Sequence, residues 1–204
     1  MIASHWPVLP EPEPSSFAAR TLTLDEWIAL DEDELGELVD GHLDGEVPGA
    51  VHEAIVSYLV WFLSCWGRPR GAWTAASGLK FVLSPRRGRM PDISVFLAGA
   101  ARPPREGGVH VPPSIAIEVI TPTPRDERRD RIEKASEYAA FGVKWYWLVD
   151  PALQSVEIWE LGADGRYAQT VAAVAGMIDP VPGCDGLVLD VDALWRERDA
   201  LSQP

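Results

Sequence analysis

Two carboxylates stand where a folding chain ordinarily places apolar side chains. In "RMPDISVFLA", Asp92 opens the run Ile93, Val95 and Phe96. In "PPSIAIEVITP", Glu118 interrupts Ile115, Ala116, Ile117, Val119 and Ile120. A buried carboxylate is costly unless it is paired, hydrogen-bonded or bound to a metal. Two ionised neighbours also repel each other. A divalent cation removes both costs, and hard cations such as Mg²⁺ take oxygen ligands. The pair therefore reads as a candidate metal site. Each acid alone has a plainer reading: Asp92, after Pro91, as a strand-start cap, and Glu118 as the partner of an arginine such as Arg128 or Arg131.

A cation-rich segment follows Glu118. Thr123 can cap a helix with Pro124 at its first position, where a missing N–H costs nothing, and the pattern runs to Phe141 and stops at Gly142. Ile132, Ala135 and Ala139 mark its expected inward stripe. Asp130, Lys134 and Glu137 or Tyr138 share an adjoining face at steps of three or four. Lys134 is the cation best placed to lean back toward the end of the Glu118 strand. The plainer reading is a surface Asp130–Lys134 pair worth roughly 0.2–0.5 kcal/mol.

These residues need a frame. Thr23 with Glu26 forms a capping-box pattern for a first helix. Asp40-Gly41 between short apolar runs signals a hairpin with Glu37 on its first arm. From His52 to Trp66 the residues Ile55, Leu59, Phe62, Leu63 and Trp66 recur at helical spacing, widened by Val56, Val60 and Trp61. That face suits the inside of the fold or a dimer interface. "AWTAAS", "GLKFVLS", "PDISVFLA", "PSIAIEVIT" and "VKWYWLVDP" have strand composition, "SVEIWEL" and "RYAQTVAAV" form a hairpin around "GADG", and "LVLDVDALWRERDAL" closes with a strand and helix. The order predicts an α/β fold with a central mixed sheet flanked by helices. Residues 1–19 read as an irregular Pro/Glu-rich arm and 20–204 as one domain.

Composition limits the partners. The 204 residues carry a formal charge of -13, and the pI is about 4.7. Tight non-specific DNA binding needs Lys and Arg on phosphates, so it is disfavoured unless a metal supplies positive charge. "SPRRGR", with Arg86, Arg87 and Arg89, is the best basic patch, either touching phosphate or forming a solvated hairpin tip. Cys65 and Cys184 have no metal-ligand spacing and read as reduced thiols of a cytoplasmic protein. The N-terminus lacks a basic secretory start. The longest apolar run, residues 54 to 66, is too short to cross a bilayer. Alternation sends Trp145 and Trp147 to one face of a strand and Tyr146 to the other, which favours packing over base stacking. His52 starts the apolar helix, and the four histidines form no ligand spacing.

"PDISVF", "PPSIAIEVITPTP" and "DRIEKASEYAAFGVKWYWLVDP" together resemble the Uma-two family of putative restriction endonucleases, within the PD-(D/E)xK nuclease superfamily. "GELVDGHL", "HEAIVSYL" and "GLVLDVDALW" are similar to its flanking patterns, so the resemblance runs from about residue 22 to 198. It implies a restriction-endonuclease-like core with an extra N-terminal helix and hairpin. It implies Asp92 and Glu118 as Mg²⁺ ligands, with Mn²⁺ as a substitute and the Val119 carbonyl as a further ligand. Glu37 matches an acidic family position that completes the site. The superfamily lysine belongs at position 120, and here stands Ile120; the family places a lysine on the following helix, matching Lys134. The segment between Glu118 and Asp130 is longer than usual. The implied activity is Mg²⁺-dependent endonucleolytic hydrolysis of DNA by a homodimer. Two rival readings are a catalytically weak or inactive binding or regulatory protein on the same fold, and a hydrolase that works through Asp92 and Glu118 without metal. Lys80 is a rival cation with no family motif.

Overall fold

The computed structural model describes residues 21–31, 36–45 and 48–201; the expected arm over residues 1–19 lies outside them. Helix α1 (Leu24–Ile28) starts where Thr23 accepts the Glu26 N–H while the Glu26 carboxylate takes the Thr23 N–H, the expected capping box. β1 (Glu37–Val39) and β2 (His42–Asp44) pair antiparallel. Their turn places Asp40 at φ 53° and Gly41 at φ 88°, a pair of left-handed positions that Asp-Gly supplies. Helix α2 (Ala50–Gly67) follows, then β3 (Trp73–Ala76), β4 (Phe81–Ser84), β5 (Arg87–Arg89), β6 (Ile93–Phe96) and β7 (Ile115–Val119).

The next helix is compound. α3 (Pro124–Arg128) runs into a π-helical segment, Arg129–Lys134, and then into α4 (Ala135–Phe141). Thr123 caps it, accepting the Asp126 N–H, and Gly142 ends it at φ 92°. β8 (Trp145–Asp150), β9 (Ser155–Leu161), β10 (Tyr167–Ala173), β11 (Met177–Ile178), β12 (Leu189–Asp190) and α5 (Val191–Ala200) complete the described chain.

Two sheets divide the work. A six-stranded sheet has the order β10-β9-β8-β7-β6-β3, and a four-stranded sheet the order β2-β1-β5-β4. Within the larger sheet β7 and β8 are parallel and the other pairs antiparallel. Parallel strands need a crossover, and the compound helix provides it. β7 is buried along its whole length, as a central strand covered on both faces must be. Ile115, Ile117 and Val119 join Ile55, Leu59 and Leu63 of α2 and Leu194 of α5 in one core. Ala116 and Ile120 face the other way, with Tyr138, Tyr146 and Leu148. Glu118 shares this second face by alternation. Trp147 packs in the first core and Tyr146 in the second, the split expected from their spacing.

Three expectations are corrected. The compound helix does not bury Ile132, whose side chain is 62% exposed; it buries Asp126, Arg129, Asp130, Lys134 and Tyr138. Polar side chains form its inward face because they meet a cavity rather than the core. The "SPRRGR" arginines are not all solvated: Arg86 stays exposed in the hairpin turn, but Arg87 and Arg89 turn inward onto acids. Arg86 donates to the Asp40 carbonyl, Arg87 pairs with Asp40 and Glu137, and the fully buried Arg89 bridges Glu37 and Glu137. The apolar helix is longer than its 13-residue core: α2 with its following turn spans residues 50–70, enough by length and composition to cross a bilayer. Here one face of it packs on the sheet.

The smaller sheet locks onto α1 through one close approach. A Cβ on Gly88 would lie 2.2 Å from the Trp27 ring, and Trp27 is itself fully buried and donates its indole N–H to the Gly36 carbonyl. Gly88→Ala is predicted to cost about 1–3 kcal/mol by overpacking, read as a lower midpoint in urea with an unchanged slope.

Candidate active site

The site forms where β6 stops short. β6 and β7 pair as far as Ile93 and Ile117, and one further step places Asp92 opposite Glu118. Ile120 donates its N–H to the Val149 carbonyl on β8 at 2.8 Å. The Val119 N–H points the other way, where β6 has ended at Pro91. The Asp92 carboxylate takes the place of a strand acceptor there, receiving the Val119 N–H on Oδ2 at 2.7 Å. In a planar trans peptide the C=O opposes the N–H. The Val119 carbonyl, sharing its peptide with the Ile120 N–H, therefore also faces the Asp92 side.

The crossover helix delivers the cation. Its polar face descends over the end of β7, and Lys134 Nζ donates to Glu118 Oε2 at 2.9 Å. The same ammonium lies 3.3 Å from Glu37 Oε1 and 3.3 Å from Asp130 Oδ1. Tyr138, one turn on, donates its hydroxyl to Glu118 Oε1 at 2.7 Å. Both Glu118 oxygens are thus held, one by each residue. Glu37, at the start of β1, accepts the Met90 N–H on Oε1 and an Arg89 N–H on Oε2. The hairpin is thereby tied to the residues leading into Asp92.

Charge and burial set the electrostatics. Burial pushes the Glu118 carboxyl up to about 8; Lys134 opposes the shift, while Asp92, Asp130 and Glu37 reinforce it. Burial also raises Asp130, against Lys134 and Arg129. At Glu37 the same burial is outweighed by Lys134, Arg89 and the Met90 N–H, and its carboxyl lies below the usual range. At Lys134 burial disfavours the charge, but Glu118, Glu37, Asp130 and Asp92 outweigh it, so the ammonium persists above its ordinary range. Three carboxyl groups surround one ammonium beside a cavity of about 480 Å³. Glu37, Asp92, Glu118, Val119, Asp130 and Lys134 line it, with His52 at its edge.

The structure therefore brings Asp92, Glu118, Lys134 and Glu37 to one cavity. Lys134 reaches Glu118, and Ile120, which stands where a strand lysine was expected, fills a core position. The longer segment after Glu118 does not prevent this, because the wide π turn carries Lys134 onto the inward face. Lys80, the rival cation, lines the same cavity, and its ammonium donates to the carbonyls of Trp27, Ile28 and Leu30 at the end of α1. Tyr138, Arg89 and the burial of Asp130 were not foreseen. The step of four from Asp130 to Lys134 to Tyr138 was the available signal; its reading brings Lys134 toward Glu118, with a surface Asp130–Lys134 pair as the alternative.

The donors suit a hard cation. Two carboxylates and a backbone carbonyl are oxygen ligands of the kind Mg²⁺ and Mn²⁺ take, and the negative excess around Glu118 is what a cation would relieve. Among the described residues no three His, Cys, Asp or Glu side chains converge as a metal cage.

Two measurements check the cluster. Lys134→Met strands Glu118 without its cation and leaves Asp130 with Arg129 alone, and is predicted to destabilise the fold by about 3–5 kcal/mol; adding Glu118→Gln restores part of the loss in a double-mutant cycle. The raised Glu118 value also fixes a pH slope. Between its ordinary value of 4.5 and about 8 the folded chain holds a proton the unfolded chain has lost, so stability falls as pH rises through that window. Urea midpoints from pH 5 to 8 decline in the parent chain, and the decline is shallower in Glu118→Gln.

The chain was compared with known proteins. The family model Uma2, described as "Putative restriction endonuclease", matches residues 23–192. A crystal structure from Anabaena variabilis, described as "a putative nuclease belonging to DUF820", superposes with a TM-score of 0.66, covering 87% of this chain and 99% of that one at 23% identity. At that identity the likeness speaks for the fold, a mixed sheet flanked by helices as expected. No curated protein matches.

Proposed function

Since the chain belongs to the Uma2 family of putative restriction endonucleases, we propose that it is a Mg²⁺-dependent endonuclease hydrolysing DNA phosphodiester bonds at the Asp92–Glu118–Lys134 cavity. The observation that carries this reading is the 2.9 Å contact between Lys134 and Glu118. It supplies a cation to the acid pair from a helix when the strand position holds Ile120.

Asp92, Glu118 and the Val119 carbonyl would hold the metal. A divalent cation bound there polarises a phosphate oxygen and lowers the pKa of a coordinated water. The protein's own part is orientation and charge. The Val119 N–H fixes Asp92, and Tyr138 and Lys134 fix the two oxygens of Glu118. Lys134, charged throughout the working range, stabilises negative charge developing on a phosphate. Glu37 holds Lys134 from the hairpin side. Arg125 and Arg128 are the exposed cations of the same helix and are candidates for backbone phosphate contacts. Cutting both strands of a duplex suits a two-fold homodimer, and the two free thiols suit the cytoplasm.

A second reading draws on a specific observation. Lys134 is enclosed by three carboxylates and Glu118 has both oxygens engaged. Such a cluster also suits an inactive binding protein on the same fold, whose buried ions serve structure.

Supercoiled plasmid incubated with Mg²⁺ or Mn²⁺ separates the two. The nuclease reading predicts nicking or linearisation that chelator abolishes. Asp92→Asn and Glu118→Gln are each predicted to lower the rate at least about 100-fold. Cleavage that persists in both variants overturns the assignment, and a chain that binds plasmid without cutting it supports the second reading.

A further inference from the structure

Helix α2 approaches the cavity end-on. Gly49 caps it without a side chain, and His52, its third residue, projects from the first turn beside Asp92. His52 Nε2 lies 3.1 Å from Asp92 Oδ2, and its side chain is 13% exposed. Its other ring nitrogen, Nδ1, lies 3.4 Å from Glu53 Oε1. Nε2 is within donating distance of Asp92 Oδ2, and an imidazole N–H can supply the proton for such a contact.

Two elements therefore act on one oxygen. Oδ2 receives the Val119 N–H from β7 at 2.7 Å and faces His52 of α2 at 3.1 Å. A single donor leaves a carboxylate free to swing about that bond. A second contact from a different direction limits that swing and holds the carboxylate beside the cavity that Asp92 lines. The second anchor is stiff. Val56, one turn beyond His52, and its neighbour Ile55 are seated in the main core. α2 cannot shift along the sheet without unpacking them.

We infer that His52 is a positioning residue for Asp92: it steadies the carboxylate that is presented to a divalent cation. The inference rests on the metal reading proposed above and deepens it. Histidine suits the task because Nε2 lies at the far edge of a rigid ring. A glutamine can present an N–H at a similar reach, whereas leucine fills the space and donates nothing.

The test is Mn²⁺ binding to the full chain, followed by the electron paramagnetic resonance signal of free Mn²⁺, for the parent chain, His52→Gln, His52→Leu and Asp92→Asn. Metal-free urea unfolding is measured in parallel. His52→Leu is expected to weaken Mn²⁺ binding about 10–100-fold, the usual cost of losing an outer hydrogen-bond partner of a ligand. His52→Gln is expected to recover most of that loss. A role confined to packing would change unfolding midpoints and leave the Gln and Leu variants with equal affinity. Equal Mn²⁺ affinity in the parent chain, His52→Gln and His52→Leu overturns the inference while leaving the metal reading intact. A parent chain that takes up no Mn²⁺, or the same affinity in Asp92→Asn, overturns both.

Discussion

The placement of the Lys134 ammonium among three carboxylates is the constraint on which the rest of the structure turns. A buried cation is tolerated only with compensating charge and hydrogen bonds. Each compensating acid comes from a different element: Glu37 from β1, Glu118 from β7 and Asp130 from the crossover helix itself. The ammonium therefore joins the smaller sheet, the larger sheet and the helix at one point. Arg89 extends the joint, since it is fully buried and bridges Glu37 to Glu137 on α4.

The same constraint explains why the cavity remains open. Four acids and their cations cannot collapse into an apolar core, because each needs partners or water. The two cores close on either face of the larger sheet, and the polar cluster lies at the end of β7 between them. The acids cost stability there, Glu118 most clearly. Such concentrated cost in a cleft is characteristic of functional sites.

Much of this was legible in the sequence, and the legible part has a common cause. Asp92 and Glu118 stood out because near-continuous apolar runs, buried on both faces, leave no room for a charge, and Thr23, Asp40-Gly41, Thr123 and Gly142 marked element boundaries through local backbone chemistry. What was hidden depended on long-range packing. Ile132 looked buried because it is apolar, yet the inward face of its helix is set by a cavity the helix cannot anticipate. Arg89 looked exposed because arginines usually are, and its burial depends on Glu37 and Glu137, about fifty residues away on either side. Lys134 was expected near Glu118, but the π turn that carries it there had no periodic signal in the sequence.

That turn has a further consequence. An α-helix advances about 100° per residue, and a π segment takes an extra residue into a turn. The residues before Arg129 and those after Lys134 therefore follow two helical phases of one rod, offset like the halves of a vernier. The earlier half is keyed to the hairpin, where Arg125 meets Asp44. The later half is keyed to the sheet, where Tyr138 packs against Tyr146. Each half can satisfy its own surface without forcing the other out of register. A single-residue deletion on the exposed side of the turn would bring the two phases back into line and oblige the helix to choose between them.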